Sequence, residues 1–211
     1  TRAKVINTRI AVNTAADKLA FFKAMSSHKD IVIPRFTTEY TTAIDWIKDG
    51  FHVCSRAVVD GNEGKGLVIT DKVDDLPKGS PLYTRYFPKS AEFRVYVVDG
   101  AVVRVQRKVY PTEKLKKGEE PNWKIRNEAN GFLFQIAELK DIPSSKIFQQ
   151  AILATQACGL DFGGVDVAWN ATKEVASIIE INTAPGIEGN TATIVANSIN
   201  NLIERLEYGK E

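Results

Sequence analysis

The sequence predicts an α+β protein of two small lobes, with a mostly antiparallel sheet in the second. Three observations lead there. Its strand-like runs come as hairpin pairs instead of being separated by crossover helices, which argues against a doubly wound parallel sheet. Pro77, Gly79 and Pro81 interrupt the pattern near 75–81, a natural hinge between lobes at 1–80 and 81–211. A length of 211 residues suits one domain or two small lobes, and 44% hydrophobic with 26% charged residues can bury a core.

Taken in order, Asn13 is placed to cap a helix over about 15–27, with Leu19, Phe22 and Met25 at helical spacing. IVIP (31–34) reads as a short strand stopped by Pro34. Thr38 can cap a second helix, TTAIDWIKD, which Gly50 ends. A strand at 51–59 enters DGNEGKG (60–66), and LVIT (67–70) is its return, so the first lobe is expected to be two helices on a small sheet. LYTRYF (82–87) opens the second lobe as a strand. EFRVYVVDGAVVRVQRKVY (92–110) is the clearest hairpin, two β-rich runs flanking Asp99-Gly100. The polar segment 111–130 reads as a long loop and GFLFQIA (131–137) as a strand. Ser144 or Ser145 caps a helix to about Cys158, with Gly159 just past its end. FGGVDVAW (162–169) and VASIIEIN (175–182) form a second strand pair, and a closing helix fills about 190–206.

Composition narrows the function classes. No apolar run approaches the roughly 18–20 residues needed to cross a bilayer. TRAKVINTRIAVNT lacks the apolar centre of a secretory signal. Cys54 and Cys158 have neither metal-ligand nor CxxC spacing, so the expectation is a soluble cytoplasmic chain with buried thiols and no membrane partner. A net charge of +2 does not by itself imply nucleic acid. Lys and Arg cluster in 104–126, but few aromatics interleave there, so no nucleic-acid partner is expected. His28 and His52 have no evident acid or serine partner, and a hydrolase triad is not expected.

The strand pair at 162–182 carries the strongest chemical signal. Asp166 sits inside an otherwise apolar strand, and the neighbouring strand carries Glu180 and Asn182 on one face, two residues apart. A buried acid without a partner is costly. A lone acid is commonly a structural ion pair, whereas two acids and an amide on paired strands also suit oxygen ligation of magnesium that holds phosphates. Gly61, Gly64 and Gly66 allow a tight loop whose N–H groups can approach phosphate, although glycine-containing hairpins are common. The string is not a P-loop, because no GK[ST] leads into a helix. Lys18 and Arg56 from the first lobe, with Arg94, Lys108 and Arg126 from the second, form the cationic set that phosphoryl chemistry needs.

GVDV followed by EINTAPGIEG (180–189) resembles the ATP-grasp superfamily, chiefly its ribosomal-protein glutamate ligase branch and small bacteriophage-encoded ATP-grasp proteins. The likeness runs from about residue 13 to 205. It includes Asp17-Lys18-Leu19, SRAVVDGNEGKGLVI, EFRVYVVDG with QRK, and KIRNEANGF. It implies two lobes clasping ATP, with Asp166, Glu180 and Asn182 as Mg2+ ligands and Lys18 on an ATP phosphate. It also implies that Arg126 contacts phosphate, with Arg94 and Lys108 beside it as catalytic residues and Asn127 as the next candidate. Adenine would rest on backbone and on Tyr86 and Phe87, with Lys89 or Glu92 helping at the ribose or adenine edge. Arg56 stands where the family has a second ATP lysine, and Arg85 where an acidic residue near adenine is common.

The activity this implies is a carboxylate–amine ligase, joining an amino acid or peptide carboxylate to an amine through an acyl phosphate. Two alternatives stay open: a kinase acting on a hydroxyl, and an inactive nucleotide-binding or partner-binding module. The chain begins almost at the core of the resemblance, without the N-terminal domain of many relatives. A protein substrate or a homodimer would then complete the acceptor site.

Overall fold

In the computed structural model, which describes residues 5–57 and 66–208, the first helical stretch is two helices, α1 (Arg9–Ala16) and α2 (Lys18–Ser26). Asp17 separates them. It is extended (φ −79°, ψ 114°), ends α1, and accepts the Ala20 N–H on Oδ1 at 2.8 Å to cap α2. A short carboxylate offers the backbone a partner outside the helical ladder, so the chain breaks and restarts there. Thr8 caps α1, and the expected cap Asn13 lies inside that helix.

The expected strand at 31–34 does not form. Val32 accepts from Ile178 N–H at 2.8 Å but donates its own N–H to the Gln150 side-chain Oε1 at 2.7 Å, and Pro34 has no N–H with which to extend a ladder. The first strand is instead β1 (Phe36–Thr37). α3 (Tyr40–Lys48) follows Glu39 without a side-chain cap from Thr38, and Gly50 closes it at φ 85°. β2 (Val53–Arg56), β3 (Leu67–Thr70) and β4 (Leu82–Arg85) complete an antiparallel sheet of order β1-β4-β2-β3. The division expected at 80/81 therefore falls on the wrong side of Leu82–Arg85, which is hydrogen-bonded into the first sheet. Pro77 and Pro81 mark a turn inside that sheet, and the passage to the second sheet is 86–90.

The second sheet contains β5 (Ala91–Val98), β6 (Ala101–Val109), β7 (Leu133–Ile136), β8 (Phe162–Asn170) and β9 (Val175–Asn182), all antiparallel in the order β7-β6-β5-β8-β9. Asp99 and Gly100 both have positive φ, 53° and 72°, the geometry that a two-residue hairpin turn matching strand twist requires. The expected loop 111–130 contains a short helix, α4 (Thr112–Lys116), and a 3-10 turn at Glu128–Asn130. α5 (Lys146–Ala157) and α6 (Gly189–Tyr208) close the chain.

Strand alternation gives the second sheet one apolar and one polar face. Phe93, Val95, Val97, Val165, Val167, Ile178 and Ile181 point to a core shared with α1, α2 and α5. Thus α1 and α2 pack mainly on the second sheet through Phe21, Phe22 and Met25, while Phe22 also meets Phe36 of β1, ring centroids 5.3 Å apart, and Leu82 of β4 joins the same core. Each such buried side chain contributes roughly 1.5–3 kcal/mol. A smaller cluster, Ala43, Ile47, Val53, Leu76 and Tyr83, fixes α3 behind the first sheet. Among the described residues no helix is long and apolar enough to cross a membrane.

Candidate active site

The polar face of the second sheet is organised by register. Arg94 on β5 pairs with Asp166 on β8, which pairs with Glu180 on β9, so the three form one row across adjacent strands. The next row holds Tyr96, Gly164 and Asn182. Arg94 donates from Nε to Asp166 Oδ1 at 2.7 Å and from Nη2 to Oδ2 at 2.9 Å, a bidentate fork. Lys108 on β6 donates to Glu92 Oε1 at 2.5 Å and lies 3.6 Å from Asp166 Oδ2. Lys89 holds the other Glu92 oxygen at 2.6 Å. Phe134 on β7 covers this group, its ring 4.2 Å from the Arg94 guanidinium carbon and 5.2 Å from Lys108 Nζ.

Lys18 reaches the row from α2. The Asp17 cap sets it in the first turn, where its side chain is buried and donates to Glu180 Oε2 at 2.7 Å. A β-bulge between Asp166 and Val167 leaves Ile179 without a partner on β8, and Ile179 lines a narrow cleft between the two sheets. Phe22, Cys54, Thr84, Tyr86 and Phe87 share that cleft. Arg56 enters it from β2 with its Nε buried and without a hydrogen-bond partner.

The electrostatics are those of a charged site kept dry. Burial would raise the Glu180 carboxyl, but Lys18, with Arg56 and Lys108, holds it well below the usual range. Glu92 follows the same pattern, burial opposed by Lys89 and Lys108. Burial would lower Lys108, and Asp166 then Glu92 raise it instead. Burial pushes the Cys54 thiol up and that of Cys158 to about 11, so neither is an activated nucleophile.

The donor set fits magnesium. Asp166 and Glu180 are directly opposed, and the Glu180 Oε1 has only a long contact, 3.4 Å, from the Asn182 amide. No group of three or more His, Cys, Asp or Glu side chains is arranged for a metal among the described residues. Two carboxylates and an amide oxygen are nonetheless the sparse oxygen set that magnesium accepts when phosphate and water complete its shell. Each carboxylate is now in an ion pair, so metal binding would replace Lys18 and Arg94 as the counter-charge.

No protein-family model matches the chain. It is 26% identical over 221 residues to a protein named probable alpha-L-glutamate ligase 1 from Pseudoalteromonas atlantica, covering 97% of this chain and 67% of that protein. A probable alpha-L-glutamate ligase of Maridesulfovibrio salexigens is 23% identical, covering 96% and 66%. Among solved structures, the ATP-grasp ligase PsnB complexed with a minimal precursor superposes with a TM-score of 0.67 at 16% identity, over 95% of this chain and 64% of that one. The chain has the ATP-grasp fold. D-alanine–D-alanine ligase from Bacillus anthracis, complexed with ATP, shares the fold at a TM-score of 0.65 and 14% identity, over 93% of this chain and 63% of that one. The chain spans about two thirds of the length of the relatives it matches.

The ATP-grasp fold brings Lys18, Arg94, Lys108, Asp166, Glu180 and Asn182 onto one face, with Arg56, Tyr86, Phe87 and Lys89 along the adjoining cleft. Gly61 and Gly64 lie outside the described residues. Gly66 is at the loop mouth, where its carbonyl accepts the Ala57 N–H at 3.1 Å. Arg126 is placed differently from the phosphate-facing position expected for it. It donates to the carbonyls of Lys89 at 3.1 Å, Ser90 at 3.4 Å and Trp123 at 3.2 Å, tying 111–130 to the passage between sheets. Arg85 also differs: Cys54 pairs with Thr84 facing the cleft, so Arg85, opposite Val53, points to the α3 side. Sequence reasoning missed Phe134, whose alternation in GFLFQIA was its only signal. It also missed Ile179, which depends on the bulge and left no signal. Tyr96 was passed over as a strand aromatic. Its hydroxyl lies 2.9 Å from both Gln106 Oε1 and the Gly186 carbonyl, steadying the segment after Asn182.

Proposed function

We propose that this ATP-grasp protein is an ATP- and Mg2+-dependent carboxylate–amine ligase that forms an amide bond through an acyl phosphate. The observation that carries the reading is the charge of the dry site. Lys18, Arg56, Lys89, Arg94 and Lys108 outnumber Glu92, Asp166 and Glu180, and the buried Nε of Arg56 has no partner. Such a surplus of cations beside paired carboxylates suits a polyphosphate with a divalent ion. The names of the glutamate ligases from Pseudoalteromonas atlantica and Maridesulfovibrio salexigens support the same reaction class.

In this reading Asp166, Glu180 and Asn182 would hold magnesium, which would supply positive charge against the nucleotide phosphates. Lys18 and Arg56 grip phosphate oxygens from the first-sheet side, and Arg94 and Lys108 stabilise the charge of the transferring group. Phe134 and the apolar cleft wall exclude water, which would otherwise hydrolyse the acyl phosphate. The substrate carboxylate attacks the γ-phosphorus and ADP leaves; the amine then attacks the acyl carbon, phosphate leaves, and the amine nitrogen gives up a proton. No enzyme nucleophile is required. The cleft encloses about 80 Å³, well under the roughly 300 Å³ of typical ligand sites, so nucleotide binding parts the two sheets at 86–87. The exposed lysines Lys116, Lys117 and Lys124 favour an acidic amino acid or peptide as substrate.

Calorimetric titration with a non-hydrolysable ATP analogue tests the reading. Magnesium-dependent binding is expected, weakened at least tenfold by Asp166→Asn and by Glu180→Gln, together with ADP release that needs both glutamate and an amine. Absence of nucleotide binding by the unaltered protein would overturn it, and ADP release without any amine would turn it into a kinase.

A further inference from the structure

A cavity of about 420 Å³ lies on the other side of the passage between the sheets, larger than the cleft and adjoining it at Pro34, Arg85, Tyr86 and Phe87. Arg35, Arg85 and Lys173 converge on it, with Phe51, His52 and Tyr86 in its wall. Its origin is the register of the first sheet. Alternation sends Thr84 into the cleft and Arg85 to the α3 side, where its guanidinium stacks on Phe51 with the carbon 3.1 Å from the ring centroid. The Arg85 N–H donates to the Arg35 carbonyl at 2.8 Å, which sets the two arginines side by side. Lys173 comes from the β8–β9 turn of the second sheet, so the cavity has walls from both sheets.

Among the described residues, none of these three cations forms an ion pair with a carboxylate, and no acidic residue lines the cavity. Asp71 lies 3.4 Å from His52 Nε2 and outside the cavity lining, and Asp49 acts on Arg85 from outside the wall. Burial, then the neighbouring Arg35 charge, pushes the Arg85 guanidinium below its ordinary value. Like charges held together without a counter-ion are costly, and a concave site of this kind lowers that cost by taking an anion. Two arginine forks and an ammonium match a tetrahedral dianion better than a single carboxylate. The volume leaves room for an organic group beyond the phosphate, against Phe51 and Tyr86.

We propose that this cavity is a second anion site, taking a small phosphate monoester, distinct from the nucleotide cleft and bridging the two sheets at the passage on which they move. The site does not depend on the ligase reading. Phenyl phosphate titrated calorimetrically into the full chain tests it, with the side-chain variants Arg35→Gln, Lys173→Gln and Arg56→Gln. Arg35 and Lys173 are exposed, and unchanged circular dichroism will verify that their variants fold. Saturable binding is expected, weakened at least fivefold by Arg35→Gln and by Lys173→Gln and unaffected by Arg56→Gln. The proposal is overturned by absence of saturable binding, by smaller losses in the two cavity variants, or by loss in Arg56→Gln alone, which would put the anion in the cleft.

Discussion

At Glu92 one buried carboxylate holds two ammonium groups, Lys89 at 2.6 Å and Lys108 at 2.5 Å, and only 4% of its surface is exposed. Neutralising it leaves Lys89 without this carboxylate and Lys108 with Asp166 alone, 3.6 Å away, and breaking a buried pair in this way costs about 3–5 kcal/mol. Glu92→Gln is therefore expected to lower the urea-unfolding free energy by that order. The sequence suggests Glu92 as a contact to ribose or adenine, whereas its oxygens are already committed to lysines. Its effect on nucleotide affinity should accordingly come through the placement of Lys89 and Lys108. Asp166 differs, because Arg94 forks it and Glu180 faces it, so Asp166→Asn changes the metal site while the amide oxygen still accepts one arginine hydrogen bond.

The Asp17 cap links an element boundary to chemistry. Removing it by Asp17→Ala is expected to cost about 1 kcal/mol of stability and to let the first turn of α2 fray. Lys18 sits in that turn, so analogue affinity should fall further than stability does. Comparing urea midpoints with calorimetric dissociation constants for the same variant checks this, and an affinity loss no larger than the stability loss would refute it. On β8, a Cβ at Gly164 would lie 2.8 Å from Pro185 Cβ and 3.5 Å from Arg94 Cδ. Gly164→Ala should cost about 1–3 kcal/mol by overpacking and should displace the turn after Asn182. Its measurable sign is weaker magnesium-dependent binding in a variant that remains folded.

For the molecule as a whole, two sheets meet along 86–90, and the second sheet holds the end of that passage. Ser90 N–H bonds Trp169 O at 2.7 Å, Asn170 bonds Pro88 O at 2.8 Å, and Arg126 bonds the carbonyls of 89 and 90. These bonds tie 88–90 to the second sheet, while Tyr86 N–H donates to His52 O on the first-sheet side at 2.8 Å. The acid limb of stability reports the buried carboxylates. Glu92 and Glu180 have folded-state values below the ordinary glutamate value of 4.5, so at low pH the unfolded chain binds more protons than the native one. Their contribution is present in full above about pH 4.5 and is lost as pH falls through the depressed folded values. Glu92→Gln should flatten this limb, measured as urea midpoints from pH 2 to 7.

The sequence by itself determined the strands of the second sheet, the Asp99-Gly100 turn and the face shared by Glu180 and Asn182. Period-two alternation and turn chemistry are local, and β5, β6, β8 and β9 obey them closely. It also singled out Asp166 and Glu180, because acids inside apolar strands demand partners wherever they fold. Tertiary structure alone decided the partners. Arg94 pairs with Asp166, Lys18 with Glu180 and Glu92 with Lys108 through strand register and helix packing, contacts 16 to 162 positions apart that no local pattern encodes. It decided equally that Leu82–Arg85 joins the first sheet, that the bulge at Ile179 turns an apolar side chain into the cleft, and that Arg85 faces a different cavity. Each depends on which strand lies alongside, and one residue of register exchanges the two faces of a strand.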